Sequence, residues 1–172
     1  MKRKVITLVI IVICFLLQSS VLPRFAFAGI CPNLLIIVTS SFGFMKGSRT
    51  GMYVGFVCGI FADVFWGTTL GFNMLLYMVI GYLNGSFQRL FYDDDIKLPI
   101  GLIGASELVY GICTCFFIYV LQGDFSFMNH FFRIILPELV YTMLATLVLY
   151  QIILHINKKL ETEEQRSASK FV

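Results

Sequence analysis

Within an apolar stretch of this chain, glycines recur at every fourth position and the series ends in an acid: Gly51, Gly55, Gly59, then Asp63. On a helix a step of four advances only about 40° beyond one full turn, so these residues share one slowly winding face. In water such a helix forms poorly, because each interior glycine costs about 1 kcal/mol relative to alanine. In a bilayer the same bare face lets another backbone approach, and close packing rather than the hydrophobic effect drives association there. The stripe predicts a helix built to receive another helix. Whether the guest is the chain's own helix or a partner's is the functional question it poses.

The rest of the chain supplies the bilayer. Of its 172 residues 58% are hydrophobic and only 13% charged, where a soluble domain carries about 25% charged residues. Uncharged runs of roughly 18 or more residues read as membrane helices. The expected fold is an all-α integral membrane protein, a six-transmembrane-helix bundle with spans at 5–22, 31–45, 50–66, 70–87, 98–121 and 131–156. Residues 1–156 then form one membrane domain, and 157–172 a polar cytoplasmic tail that is a fraying helix extension or a disordered end. Lys46, Gly47, Ser48 and Arg49 separate the second and third spans as a tight inner turn, since burying both cations in one long helix is costly. With both termini cytoplasmic, eleven of the thirteen Lys and Arg residues lie inside, and only Arg24 and Arg133 lie outside. Trp66 at the outer end of the third span is an expected interfacial anchor.

Several function classes drop out. The net charge of +3 is spread over short inner segments and makes no phosphate-binding stripe, so no nucleic-acid partner is expected. Five cysteines sit in or beside apolar segments and read as packing residues. Ala26-Phe27-Ala28 imitates a signal-peptidase site, but the long apolar run before it and Pro23-Arg24 favour retention as the first span. Asp93-Asp94-Asp95 lacks the interleaved ligands of a calcium loop and reads as a solvated connection. His130 and His155 lie on opposite sides, and no metal, phosphate-loop or paired catalytic motif occurs. No catalytic residue, metal or cofactor is expected.

What remains is packing and buried polarity. Gly81 and Gly85 repeat the spacing of four on the span that follows the Gly67–Gly71 turn, so both arms of that hairpin carry close-packing surfaces. Gly101, Gly104, Ala105 and Gly111 give the fifth span a small face of its own. Three acids fall within spans: Asp63, Glu107 and Glu138. Each must be protonated, paired, hydrogen-bonded or near an interface, and Asn73, Tyr77, Tyr82, Tyr110 and Tyr141 are candidate donors. Helix register is the plainer use for such groups, a proton relay through Glu107 the sharper one. Pro32-Asn33 opens the second span, with Asn33 a cap or a reach to a neighbour, and Pro137 is expected to kink the sixth.

In order and spacing, Gln18-Ser19-Ser20, Pro32-Asn33-Leu34-Leu35, Lys46-Gly47, the stripe to Asp63, Gly67, Leu70-Gly71, Leu76-Tyr77 and Gly81-Tyr82 resemble the MreD family of rod shape-determining proteins of the bacterial inner membrane. The resemblance covers most of the first ninety residues, while the second half adds size and topology. It implies a non-enzymatic scaffold of cell elongation, similar in fold to the substrate-binding subunits of energy-coupling-factor vitamin transporters. It further implies binding of the membrane helix of MreC and work alongside MreB, RodA and a class B penicillin-binding protein in lateral peptidoglycan synthesis. The alternatives from other classes are a vitamin-type binding subunit of a transporter and a proton-coupled carrier using Glu107.

Overall fold

A helix that is hydrophobic all round belongs in the middle of a protein, and Leu34–Lys46 (α2) is such a helix. The computed structural model describes residues 2–24, 30–67, 69–90, 97–122 and 131–168. In it every α2 residue from Leu34 to Met45 is buried. Around α2 stand α1 (Lys2–Leu16), α3 (Ser48–Trp66), α4 (Phe72–Ser86), α5 (Lys97–Gln122) and α6 (Leu136–Ala168). All five touch α2. They also touch one another in sequence around it, α1 to α3 to α4 to α5 to α6. Arg3 Nη2, donating to Asn157 Oδ1 at 2.9 Å, joins α6 back to α1. The architecture is therefore five helices about one.

The ends of these helices follow from local chemistry. Asn33 caps α2 by accepting from Ile36 N–H at 3.3 Å, so the helix begins just after the Pro32-Asn33 pair rather than at residue 31. Gly47 alone joins α2 to α3, with φ of 87°, a conformation that favours glycine. Its N–H donates to Gly43 O at 2.7 Å and closes the last turn of α2. Around Pro137 the chain changes helix type, from a π-helical turn at Phe131–Ile135 to the α-helix that starts at Leu136. Pro137 thus stands where the wider π-helical winding passes into the α-helix. A change of winding is what the structure shows at the position where a kink is expected.

The described regular structure is helical, and three segments are long and apolar enough to cross a bilayer: Arg3–Arg24, Lys97–Phe117 and Phe132–Thr162. α2 is a shorter apolar helix. α3 and α4 owe their lower hydropathy to glycines and polar groups at buried positions such as Gly55, Asp63, Asn73 and Asn84, while Ile60, Val64, Leu75 and Val79 stay apolar and exposed. Residues 26–28, the acids at 93–95 and His130 lie outside the described residues.

α6 runs on through residue 157 without a break. Asn157 is buried under Arg3, and Lys46 at the end of α2 pairs with Glu161. The α6 extension is thereby tied to the same end of the bundle as the N-terminus. Glu161→Lys should loosen that extension while lowering stability by less than about 1 kcal/mol, because the pair is partly solvated. Limited trypsin cleavage after Lys158 and Lys159 in nanodiscs should quicken in this variant. It should return to the original rate when Lys46→Glu is added.

Candidate helix-packing and polar site

Glycine removes the side chain that keeps two helix backbones apart, and α3 uses this along its whole length. A methyl group added at Gly51 would collide with the carbonyl oxygen of Gly81, one at Gly55 with that of Tyr77, and one at Gly59 with the Cα of Met74. From the other arm, a methyl at Gly81 would strike the Gly51 carbonyl and one at Gly85 the backbone of Ser48. The pairs run in opposite chain order, so α3 and α4 form an antiparallel hairpin with backbone against backbone. The guest in the groove is the chain's own α4.

A third backbone joins at one level. A methyl at Gly43 of α2 would stand 2.8 Å from Gly81 O, and one at Gly51 2.8 Å from the Gly43 Cα. Three helices therefore meet at glycine. Gly43 was not singled out in the sequence, although Gly43 and Gly47 continue the spacing of four into α2.

The groove ends at Asp63, and its carboxylate has a specific task. Gly71, at the N-cap of α4, offers no capping side chain. Asp63 supplies the cap from across the turn: Oδ2 accepts from the N–H of Gly71 at 2.9 Å and of Met74 at 3.0 Å, and Oδ1 from that of Asn73 at 3.0 Å. These amides belong to the helix start, where orphan N–H groups and the helix dipole both favour an acceptor bearing negative charge. The donors are main-chain amides, not the tyrosines and asparagine considered from sequence.

Those side chains serve each other instead. Tyr77 OH donates to Asn33 Oδ1 at 2.9 Å, and Asn33 N–H donates to Thr142 Oγ1 at 3.0 Å, so α4, α2 and α6 are joined at one point. Tyr110 OH donates to Asn73 Oδ1 at 3.0 Å, linking α5 to α4. Asn84 Nδ2 reaches Ser106 Oγ at 2.7 Å and Ser40 Oγ at 3.3 Å. Leu35 N–H donates to Gln18 Oε1 at 3.2 Å and brings in the π-helical turn Leu17–Val21 that follows α1. Gln18, Asn33 and Tyr77 lie in the family-like motifs, whereas Asn84, Ser106 and Thr142 carry no motif signal. That they are amides or hydroxyls within apolar helices is the only clue to them.

Glu107 is 3% exposed, and its Oε2 has no hydrogen-bond partner among the described residues. It lies near enough to Glu138 of α6 for the two carboxyls to interact electrostatically. A cleft of about 110 Å³ opens between α3, α4 and α5 near the α3–α4 turn, lined by Trp66, Thr69, Phe72, Asn73, Tyr110 and Thr114 among others. Of the small face on α5, Gly104 meets Met143, Gly111 meets Ile135, and Gly101 faces open space.

A family model described as rod shape-determining protein MreD matches residues 1–160 of the chain. No curated protein and no solved structure matches.

Asp63→Ala would leave three helix-start amides without their acceptor and should cost about 2–4 kcal/mol, with Asp63→Asn recovering part of the loss. Unfolding in mixed micelles by increasing denaturing detergent measures both. Equal stability of Asp63→Ala and the parent would remove the capping role.

Proposed function

Since the chain belongs to the MreD family of rod shape-determining proteins, and is on that footing a membrane protein with a role in cell shape, we propose that it is the bundle that seats the single membrane helix of MreC. In this reading residues 1–156 cross the bacterial inner membrane six times, with both termini and the 157–172 tail in the cytoplasm. The fold resembles that of energy-coupling-factor substrate-binding subunits. The protein performs no chemistry of its own. It holds MreC so that MreB filaments inside are coupled to RodA and its class B penicillin-binding protein outside, and hence to lateral peptidoglycan synthesis.

The observation that carries the reading is the family match over residues 1–160. Packing geometry refines it. Because α4 fills the glycine groove, Gly51, Gly55, Gly59, Gly81 and Gly85 give the bundle its shape, and the partner helix meets an outward apolar face. Asp63, Asn73 and the polar contacts around α2 keep that shape in register. A vitamin-binding role is less well supported by the cleft at α3, α4 and α5: it holds about 110 Å³, against the roughly 300–1,000 Å³ of sites for drug-sized ligands.

Depletion of the protein should turn rods into spheres, added vitamins should not reverse this, and affinity purification from membranes should bring along a single-span protein. Gly55→Leu should lose both shape support and that companion, because its side chain has no space against Tyr77. Retention of both by this variant would remove the glycine packing from the account. Glu107→Gln, which deletes a buried acid without changing its size, should keep rod shape. Loss of shape in this variant at normal protein levels would favour a proton-coupled carrier.

A further inference from the structure

α3 and α4 stand side by side in the ring, and both are short. At about 1.5 Å per residue, the 15 residues of α4 reach about 22 Å. α3 has 19 residues but begins with Ser48 and Arg49, so its apolar length from Gly51 to Trp66 is about 24 Å. The 3-10 turn after α4 carries Gln88 and Arg89 and does not lengthen the apolar band. Across the ring, the candidate spans trimmed of their terminal charges in the same way, residues 5–23, 98–117 and 134–157, reach about 28, 30 and 36 Å. A typical hydrocarbon core is about 30 Å thick. One side of the ring matches it, and the other falls short.

The mismatch is visible where long and short helices touch. Phe117 of α5 stacks on Phe72, the first residue of α4, with ring centroids 3.9 Å apart. Near the other end Ser106 of α5 meets Asn84 of α4. α5 nevertheless runs from Lys97 to Gln122 and overruns α4 at both ends. Tilting cannot correct this, because tilt only shortens a helix's reach across the bilayer.

The short side has a defined surface. Phe56, Ile60 and Val64 of α3 and Leu75, Val79 and Leu83 of α4 are exposed and apolar. Arg49 bounds the band at one end, and Trp66, 47% exposed, bounds it at the other. Asn73, Tyr110, Thr69 and Thr114 line the cleft beside its outer edge, where headgroups and water drawn inward would find hydrogen-bonding groups. We propose that the α3–α4 face holds a thinned patch of bilayer and selects lipids with shorter acyl chains, while α1, α5 and α6 match a bilayer of ordinary thickness. The proposal rests on the α3–α4 hairpin crossing the membrane, as in the six-span reading above.

Trp66 is the only tryptophan, which permits single-tryptophan reporters. Trp66→Phe is combined with Val79→Trp, at a site 45% exposed on the short side, or with Val148→Trp, at a site 64% exposed on α6. The full chain is reconstituted in mixtures of a fourteen-carbon monounsaturated phosphatidylcholine and the dibrominated eighteen-carbon lipid, which quenches tryptophan. The reporter at position 79 should favour the shorter lipid by about two- to five-fold, and the reporter at 148 should show no such preference. Equal preference at the two positions overturns the thinned patch and leaves the crossing in place. Absence of quenching at 79 in wholly brominated bilayers overturns the crossing as well.

Discussion

Everything in this bundle is arranged around two main chains lying in direct contact. Between α3 and α4 no side chain intervenes at Gly51, Gly55 or Gly59, so the dispersion gained there comes from rigid peptide groups that lose no rotamer freedom on packing. Lipid offers no hydrophobic push for helices to associate, and close fit must take its place. The contact also sets distances elsewhere. It brings the start of α4 under Asp63, and Gly81 and Gly85 up to α2 at Gly43.

Polar groups then fix what packing alone leaves free to slide. Apart from Arg3–Asn157 and Lys46–Glu161 at one end of the bundle, the long-range hydrogen bonds start from an amide or hydroxyl on one helix and end on another, and Asn33 alone ties α2 to both α4 and α6. Inside a bilayer such groups have few competing partners, so a slip of one turn would strand several at once. Asp63 does the same for the hairpin tip. Its two oxygens are shared among three amides that exist as donors only because a helix starts there.

Much of this was legible in the chain. Low charge and long apolar runs gave helical membrane architecture, and the ordered motifs of the first half gave the family. The glycine spacing announced that a backbone would come close, but a stripe has no label for its guest, and only the packed hairpin identifies α4. Asp63 was visible as an acid in an awkward place. Its donors were invisible, because backbone amides carry no residue identity. Gly43 and Asn84 escaped notice for another reason: a lone glycine or asparagine in an apolar helix is common, and what gives it meaning is a neighbour far along the sequence, such as Gly81 or Ser106. Proline removes a hydrogen bond within a helix, and beside Pro137 the structure shows a π-helical turn passing into α-helix, a detail of winding that the residue type alone does not specify.

The enclosure of α2 has a consequence for synthesis. Its hydroxyls at Thr39, Ser40 and Ser41 are buried, but Ser106, which shares the Asn84 amide with Ser40, and Thr142, which receives the Asn33 amide, emerge from the ribosome long after α2 itself. Until they arrive, the nascent axle has polar sites facing an unfinished wall. A stalled or truncated chain would therefore display its core to membrane quality-control proteases, and only a chain finished through α6 conceals it.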